Sequence, residues 1–141
     1  MTSFATTILI HAAPERIWSL LTDAAGYPTW NSTVERVEGT ISPGERLEVY
    51  AKATPGRAFP LRVTGFEPGR SMIWSGGMPM GLFKGTRTFT LTPRGSGLTE
   101  FAMREEFSGL LAPLVTRSIP DLQPTFDRFA ADLKVASESQ E

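Results

Sequence analysis

The sequence predicts an α+β fold: a curved antiparallel sheet of about seven strands wrapped around a long C-terminal helix, with one or two short helices after the first strand. Three observations predict it. A β-branched, apolar opening gives way at once to a helix start. A series of strand-like segments, broken by glycine and proline, then runs to about residue 107. Finally, apolar residues recur with a mostly 3.6-residue period towards the C-terminus. A curved sheet with one apolar face must cover that face, and the last helix is the only long amphipathic element available to do so.

Residues 4–11, FATTILIH, read as the first strand. Ala12-Ala13-Pro14-Glu15-Arg16 opens a helix, because Pro14 near the first turn has no N–H to satisfy and Glu15 sits near the positive end. Ile17, Leu20, Leu21 and Ala24 fall on one helical face. Gly26 and Pro28 limit that helix, and residues 27–30 suit a further short turn. Residues 33–41 are strand-like, and in 46–54 Leu47, Val49, Ala51 and Ala53 alternate with polar residues at the period of a half-buried strand. Residues 58–66 repeat the pattern with Phe59, Leu61 and Val63, and 71–75 put Met72 and Trp74 on one side. The loop 76–81, Gly-Gly-Met-Pro-Met-Gly, is flexible and apolar. Residues 82–92 and 98–107 form the clearest hairpin, around Pro93 to Gly97. Leu111, Val115, Leu122, Phe126, Phe129 and Leu133 mark the final helix, with Pro113 near its start, Pro120 and Pro124 placed to kink or divide it, and a polar tail at 137–141 expected to fray.

Composition excludes several function classes. The chain has 141 residues, which suits a single domain spanning 1–141. Fourteen basic and fifteen acidic side chains give a net charge of −1, without any Lys/Arg block, so a nucleic-acid partner is not expected. No cysteine is present, which removes disulfides, thiol catalysis and thiolate metal sites. The single histidine, His11, cannot build a His–His metal cluster, and no P-loop, dinucleotide fingerprint or metal-ligand spacing appears. No cofactor is therefore expected. The opening residues are neither a signal peptide nor a membrane span, so the expectation is a cytoplasmic protein, monomer or homodimer, without stable membrane insertion.

Four stretches resemble the START-like (helix-grip, SRPBCC) superfamily, in its polyketide cyclase/dehydrase and lipid transport branch. They are Ala13-Pro14-Glu15-Arg16-Ile17-Trp18 at the first helix; Leu21-Thr22-Asp23 through Tyr27-Pro28-Thr29-Trp30-Asn31; Phe66-Glu67-Pro68-Gly69-Arg70 leading to Trp74; and Phe107-Ser108-Gly109-Leu110-Leu111-Ala112-Pro113 before the last helix. The chain has Ser32 where many members have proline after the asparagine. The resemblance implies a helix-grip fold with a cavity between sheet and helix. It does not transfer a catalytic set.

Arg87 is the leading candidate for a binding residue. Phe83, Gly85, Arg87, Phe89 and Leu91 share one face of their strand, opposite Lys84, Thr86, Thr88, Thr90 and Thr92. The threonine-rich face suits solvent, so Arg87 turns inward and must find a partner. A hairpin symmetric about residue 95 would set Arg87 opposite Met103 and diagonal to Glu105. Arg87 is then either an anchor for a ligand carboxylate, carbonyl or enolate, or half of a structural Arg–Glu pair. Gly85 either leaves ligand space or marks a bulge. Trp74, Met72, Phe59 and Phe83 from the sheet, with Leu122, Phe126 and Phe129 from the helix, either line a cavity or fill a solid core. Met78 and Met80, between glycines, suit a lid or mouth. His11 reads as a structural or surface residue.

The leading functional expectation is binding of a small hydrophobic ligand, oriented by Arg87. The alternatives are a cyclase or dehydratase in the same cavity, with Glu105 or Tyr50 moving a proton, and a chaperone- or stress-related interaction domain.

Overall fold

The computed structural model describes residues 3–52, 54–118 and 121–139. Ala53 and Pro120 of the expected pattern fall outside these. Strand β1 (Ser3–Ile10) is followed by helix α1 (Pro14–Leu21), a 3-10 turn at Ala24–Gly26 and the single-turn α2 (Tyr27–Trp30). Six strands follow: β2 (Val34–Gly39), β3 (Arg46–Ala51), β4 (Ala58–Glu67), β5 (Ser71–Met78), β6 (Phe83–Pro93) and β7 (Thr99–Ser108). The chain ends in α3 (Ala112–Val115), a 3-10 turn, and α4 (Gln123–Glu138). The strand order is β1-β7-β6-β5-β4-β3-β2, every pair antiparallel, so six strands form a meander and β1 joins its far edge. The sheet curls into a half-barrel around α4, the helix-grip arrangement. Among the described residues no helix is long and apolar enough to cross a membrane.

Phe129 of α4 occupies the centre of the grip. Its ring stacks on Phe101 at 6.2 Å, meets Trp30 edge-on at 5.6 Å, and lies 6.1 Å from Phe89 and 6.4 Å from Tyr27. Such offset and edge contacts suit the aromatic quadrupole, so this cluster fixes the helix against the sheet as well as burying area. Tyr27 is fully buried, and its hydroxyl donates to the Leu21 carbonyl at 2.7 Å. Burial pushes the phenol pKa far above its ordinary value, against the opposing charge of Arg87.

Three expectations are corrected and one is refined. The β6–β7 hairpin is centred on Ser96, because Arg94 N–H donates to the Leu98 carbonyl and Pro93 pairs with Thr99; Arg87 therefore faces Glu105 directly, while Met103 faces Phe89. Gly76, Gly77 and Met78 belong to β5, paired with Gly85, Lys84 and Phe83, and only residues 79–82 form the turn. The C-terminal segment is divided, as its prolines suggest, into α3 with Pro113 and α4 with Pro124 in their first turns, where a proline is better placed than in a helix interior. Finally, α4 does not fray at residue 137: Ser137 is buried, and Arg16 donates to the Ser137 and Ala136 carbonyls at 3.4 and 3.0 Å. A guanidinium here satisfies carbonyls that lack helical partners.

Glu138 completes that helix end. Its Oε2 accepts from Lys134 Nζ at 2.6 Å and from the His11 backbone N–H at 2.8 Å. The Lys134 hydrogen bond, then that of His11, holds the carboxyl pKa down to about 2. A depressed carboxylate pKa contributes stability that is complete above the unfolded value of 4.5 and is lost as pH falls towards 2. Glu138→Gln is expected to flatten the acid limb of the urea midpoint between pH 4.5 and pH 2. His11 itself lies on the surface, its side chain 74% exposed.

Ser32 ties the segment after α2 to the last helix. Its N–H and hydroxyl both donate to Asp132 Oδ2 of α4, at 2.8 and 2.6 Å. Proline would remove both donors. Ser32→Pro is expected to lower stability by about 1–2 kcal/mol, measured by urea denaturation.

Candidate functional site

Side chains on the concave face of the sheet form rows across the strands. One row runs Val63, Trp74, Arg87, Glu105 and Phe4, over β4, β5, β6, β7 and β1. The next row towards the open edge contains Gly76, Gly85 and Phe107, and the outermost pairs Met78 with Phe83. The ladders on both sides of Gly85 are continuous, so it is not a bulge glycine. A Cβ there would meet Glu105 Oε2 at 3.2 Å and Phe107 Cε1 at 3.3 Å, and a Cβ at Gly76 would strike the Pro60 carbonyl. These two glycines keep the sheet's inner surface low beside the charged row.

Arg87 Nη2 and Nε both donate to Glu105 Oε1, at 2.7 and 2.9 Å. The guanidinium carbon also lies 4.8 Å from the centroid of the Phe126 ring, within cation–π range. Phe126 touches Phe4 at 5.9 Å, Phe4 meets Phe107 edge-on at 6.3 Å, and Phe107 stacks on Phe83 at 5.7 Å. An aromatic ring of side chains therefore surrounds the ion pair. It does not seal it, since the side chains of Arg87 and Glu105 remain 23% and 16% exposed. Among the described residues, Glu105 Oε2 and Arg87 Nη1 have no hydrogen-bond partner, and Trp74 Nε1 in the same row is buried without one. An unpaired buried N–H is uncommon in a finished interior.

The structure separates the expected site residues into three groups. Arg87, Glu105, Trp74, Phe83 and Phe126 meet around the ion pair. Met72 and Met103 are sealed in the core beneath, at 0% and 1% exposure, and so fill space as core residues do. Phe59, Met78 and Met80 stand at the open edge, 38%, 45% and 92% exposed, while the half-buried Leu122 packs against the core just before α4. The interior is therefore filled at its centre, with partly exposed aromatic, methionine and charged side chains at one end, and no closed tunnel ending at Arg87 is seen among the described residues. Tyr50 lies on the opposite face of the sheet from this site, beneath the Arg36 guanidinium at 3.7 Å, and has no part in it. Phe4 and Phe107 were not singled out for the site from sequence. Alternation puts each on an apolar face; Phe107 comes beside Arg87 through the β6–β7 hairpin, whereas the place of Phe4 follows from β1 pairing with β7, which no local pattern encodes.

Two open clefts lie elsewhere, on the outer side of α4. One of about 400 Å³ is bordered by His11, Arg16 and Glu138, and one of about 550 Å³ by Leu20, Trp30 and Val135. Neither includes a residue of the charged row.

Comparison with known proteins gives a consistent picture. The family model for polyketide cyclase/dehydrase and lipid transport matches residues 1–138. A hypothetical protein from Helicobacter pylori superposes with a TM-score of 0.79 at 12% identity, over 96% of this chain and 88% of that one. A START superfamily protein from Mycobacterium smegmatis gives 0.73 at 18% identity, over 96% and 97%. The di-domain ARO/CYC BexL from the BE-7585A biosynthetic pathway gives 0.67 at 14% identity, over 98% of this chain and 45% of that one. At these identities the likeness is one of fold. No curated protein sequence matches the chain.

Proposed function

The chain belongs to the polyketide cyclase/dehydrase and lipid transport family, and from that premise we propose that it binds a small hydrophobic ligand at the open end of the grip, with the ligand's polar group on Arg87. The observation that carries this reading is the half-open Arg87–Glu105 pair inside an aromatic ring. An arginine whose only task was to neutralise Glu105 would need no opening to solvent. Here two of its nitrogens are committed and Nη1 remains free to meet a carboxylate or carbonyl. Apolar area on Phe83, Met78 and Phe59 would supply affinity, and the arginine orientation.

Native mass spectrometry on protein purified without detergent tests this. A bound small molecule at one per chain, lost from Arg87→Met, supports the reading. Bare protein that also fails to bind a hydrophobic probe dye contradicts it.

A cyclase or dehydratase acting at the same place is favoured by one observation. Both hydrogen bonds from Arg87 reach Oε1 of Glu105, which leaves Oε2 beside the vacant side-chain position of Gly85. That oxygen is placed to accept a proton from a bound substrate while Arg87 holds the enolate that forms.

A further inference from the structure

We propose that the open edge of the grip docks on an anionic lipid bilayer surface. The edge is built where β3, β5 and β7 end and β4 and β6 begin. Three stretches of chain form most of it, residues 52 with 54–59, 76–86 and 107–118, beside the starts of β1 and β2. Together they carry Lys52, Arg57, Lys84 and Arg117 and no Asp or Glu; the acids that border them are Glu35 at the start of β2 and Glu105 and Glu106 on β7, the last two paired with Arg87 and Arg104. Among the described residues none of these four cations joins an ion pair, whereas Arg36, Arg87, Arg94, Arg104 and Lys134 each do. The next acid along the chain, Asp121, is engaged at the head of α4 by the Gln123 N–H at 3.1 Å.

Apolar side chains project from the same edge. Met80, Leu110 and Leu114 are 92%, 82% and 63% exposed. The first two are held together, since Leu110 N–H donates to the Gly81 carbonyl at 3.3 Å and Leu111 N–H to the Leu82 carbonyl at 2.7 Å. Met80 is informative because its backbone does not want it. Leu82 N–H closes on the Pro79 carbonyl, and Met80 and Gly81 between them have φ of 63° and 69°. Two positive φ values mark a type I′ turn, for which Asn-Gly is the favoured pair. Met80 is the one non-glycine with positive φ among the described residues. A large apolar side chain is thus kept at a fully exposed tip at a conformational cost, and the turn itself gains nothing from it. Exposed apolar tips among unpaired cations complement a negatively charged bilayer: the tips enter the headgroup boundary and the cations meet the lipid phosphates. This surface stands on the edge alone and does not depend on the identity, or the existence, of a ligand at Arg87.

Co-sedimentation of the full chain with vesicles of equal phosphatidylglycerol and phosphatidylcholine tests it, against vesicles of phosphatidylcholine alone. Binding to the anionic vesicles at 50 mM salt, lost at 500 mM, is expected. Each cation at such a surface is worth about fivefold in affinity, so Lys84→Gln with Arg117→Gln should weaken binding about 25-fold. Met80→Gly should weaken it severalfold while leaving the thermal midpoint unchanged or raised, because it relieves the turn; a merely structural residue would not separate the two readings. Arg94→Gln, at the opposite edge of the sheet, is the charge control and should leave binding unaltered. Equal binding to both vesicle types, no binding at low salt, or an equal loss in Arg94→Gln would overturn the proposal. So would concentration-dependent dimerisation through Met80 and Leu110 without vesicle binding, which would assign the edge to a second copy of the chain.

Discussion

Phe129→Ala is expected to destabilise the fold by about 3–5 kcal/mol, the range for truncating a fully buried phenylalanine. The ring is 2% exposed and contacts Tyr27 and Trp30 of α2, Phe89 of β6 and Phe101 of β7. Removing it opens a cavity between rigid rings that cannot collapse without moving α4 away from the sheet. Domains of this size are stable by about 5–15 kcal/mol, so the variant should retain only part of its cooperativity margin at 37 °C. Urea denaturation followed by tryptophan fluorescence checks this, since Trp30 and Trp74 both lie in the cluster. Phe129→Leu should cost less than half as much. A loss below about 1 kcal/mol in Phe129→Ala would mean that the helix is held mainly by its ends, through Arg16 and Glu138.

The second large effect concerns the ion pair. Arg87→Met should cost about 2–3 kcal/mol, because it leaves the Glu105 carboxylate among aromatic rings without its partner. Replacing both residues, Arg87→Met with Glu105→Met, should recover most of that loss, since an apolar pair of similar size suits the ring of Phe4, Phe107 and Phe126. Ligand affinity should behave differently. If Arg87 holds the ligand's polar group, affinity falls in both variants alike, by about tenfold or more for a charged hydrogen bond. Stability rescued without rescue of binding separates a binding residue from a structural one. Parallel recovery of both would reduce the pair to a core element.

Much of this was legible in the sequence, for identifiable reasons. Threonines at 86, 88, 90 and 92 mark the outer face of β6, and alternation then forces Arg87 inward. The expected hairpin centre at residue 95 and the observed centre at 96 shift the pairing by two residues, which preserves that face. For this reason the sequence puts Arg87 on the correct side and within reach of Glu105, but diagonal to it and not directly opposite. The partner depends on how five residues, Arg94 to Leu98, close the turn, and strand patterning does not specify that closure. The strand-like character of Gly76 to Met78 was hidden for another reason. Two glycines have low β-propensity, and only the neighbouring Pro60 carbonyl and the pairing with β6 show why they are needed there. The capped end of α4 was equally invisible, because Arg16 and His11 reach it from more than a hundred residues away.

The distribution of charge and exposure gives the fold a polarity. The far end of α4 is closed by Arg16, Lys134 and Glu138, while the near end leaves aromatic and methionine side chains in solvent around one ion pair. A packed core with one exposed apolar end is the arrangement the proposed ligand binding requires, since contacts made there leave the packing around Phe129 undisturbed.

The most direct test of ligand binding at this end is a titration with a fluorescent long-chain carboxylic acid, followed by probe emission, on the wild-type chain and on the Arg87→Met, Glu105→Met double variant. Saturable binding at one probe per chain, weakened about tenfold or more in the double variant while its urea midpoint stays close to that of the wild type, is the predicted result. Equal affinity in the two proteins, or no saturable binding to the wild type, would contradict it.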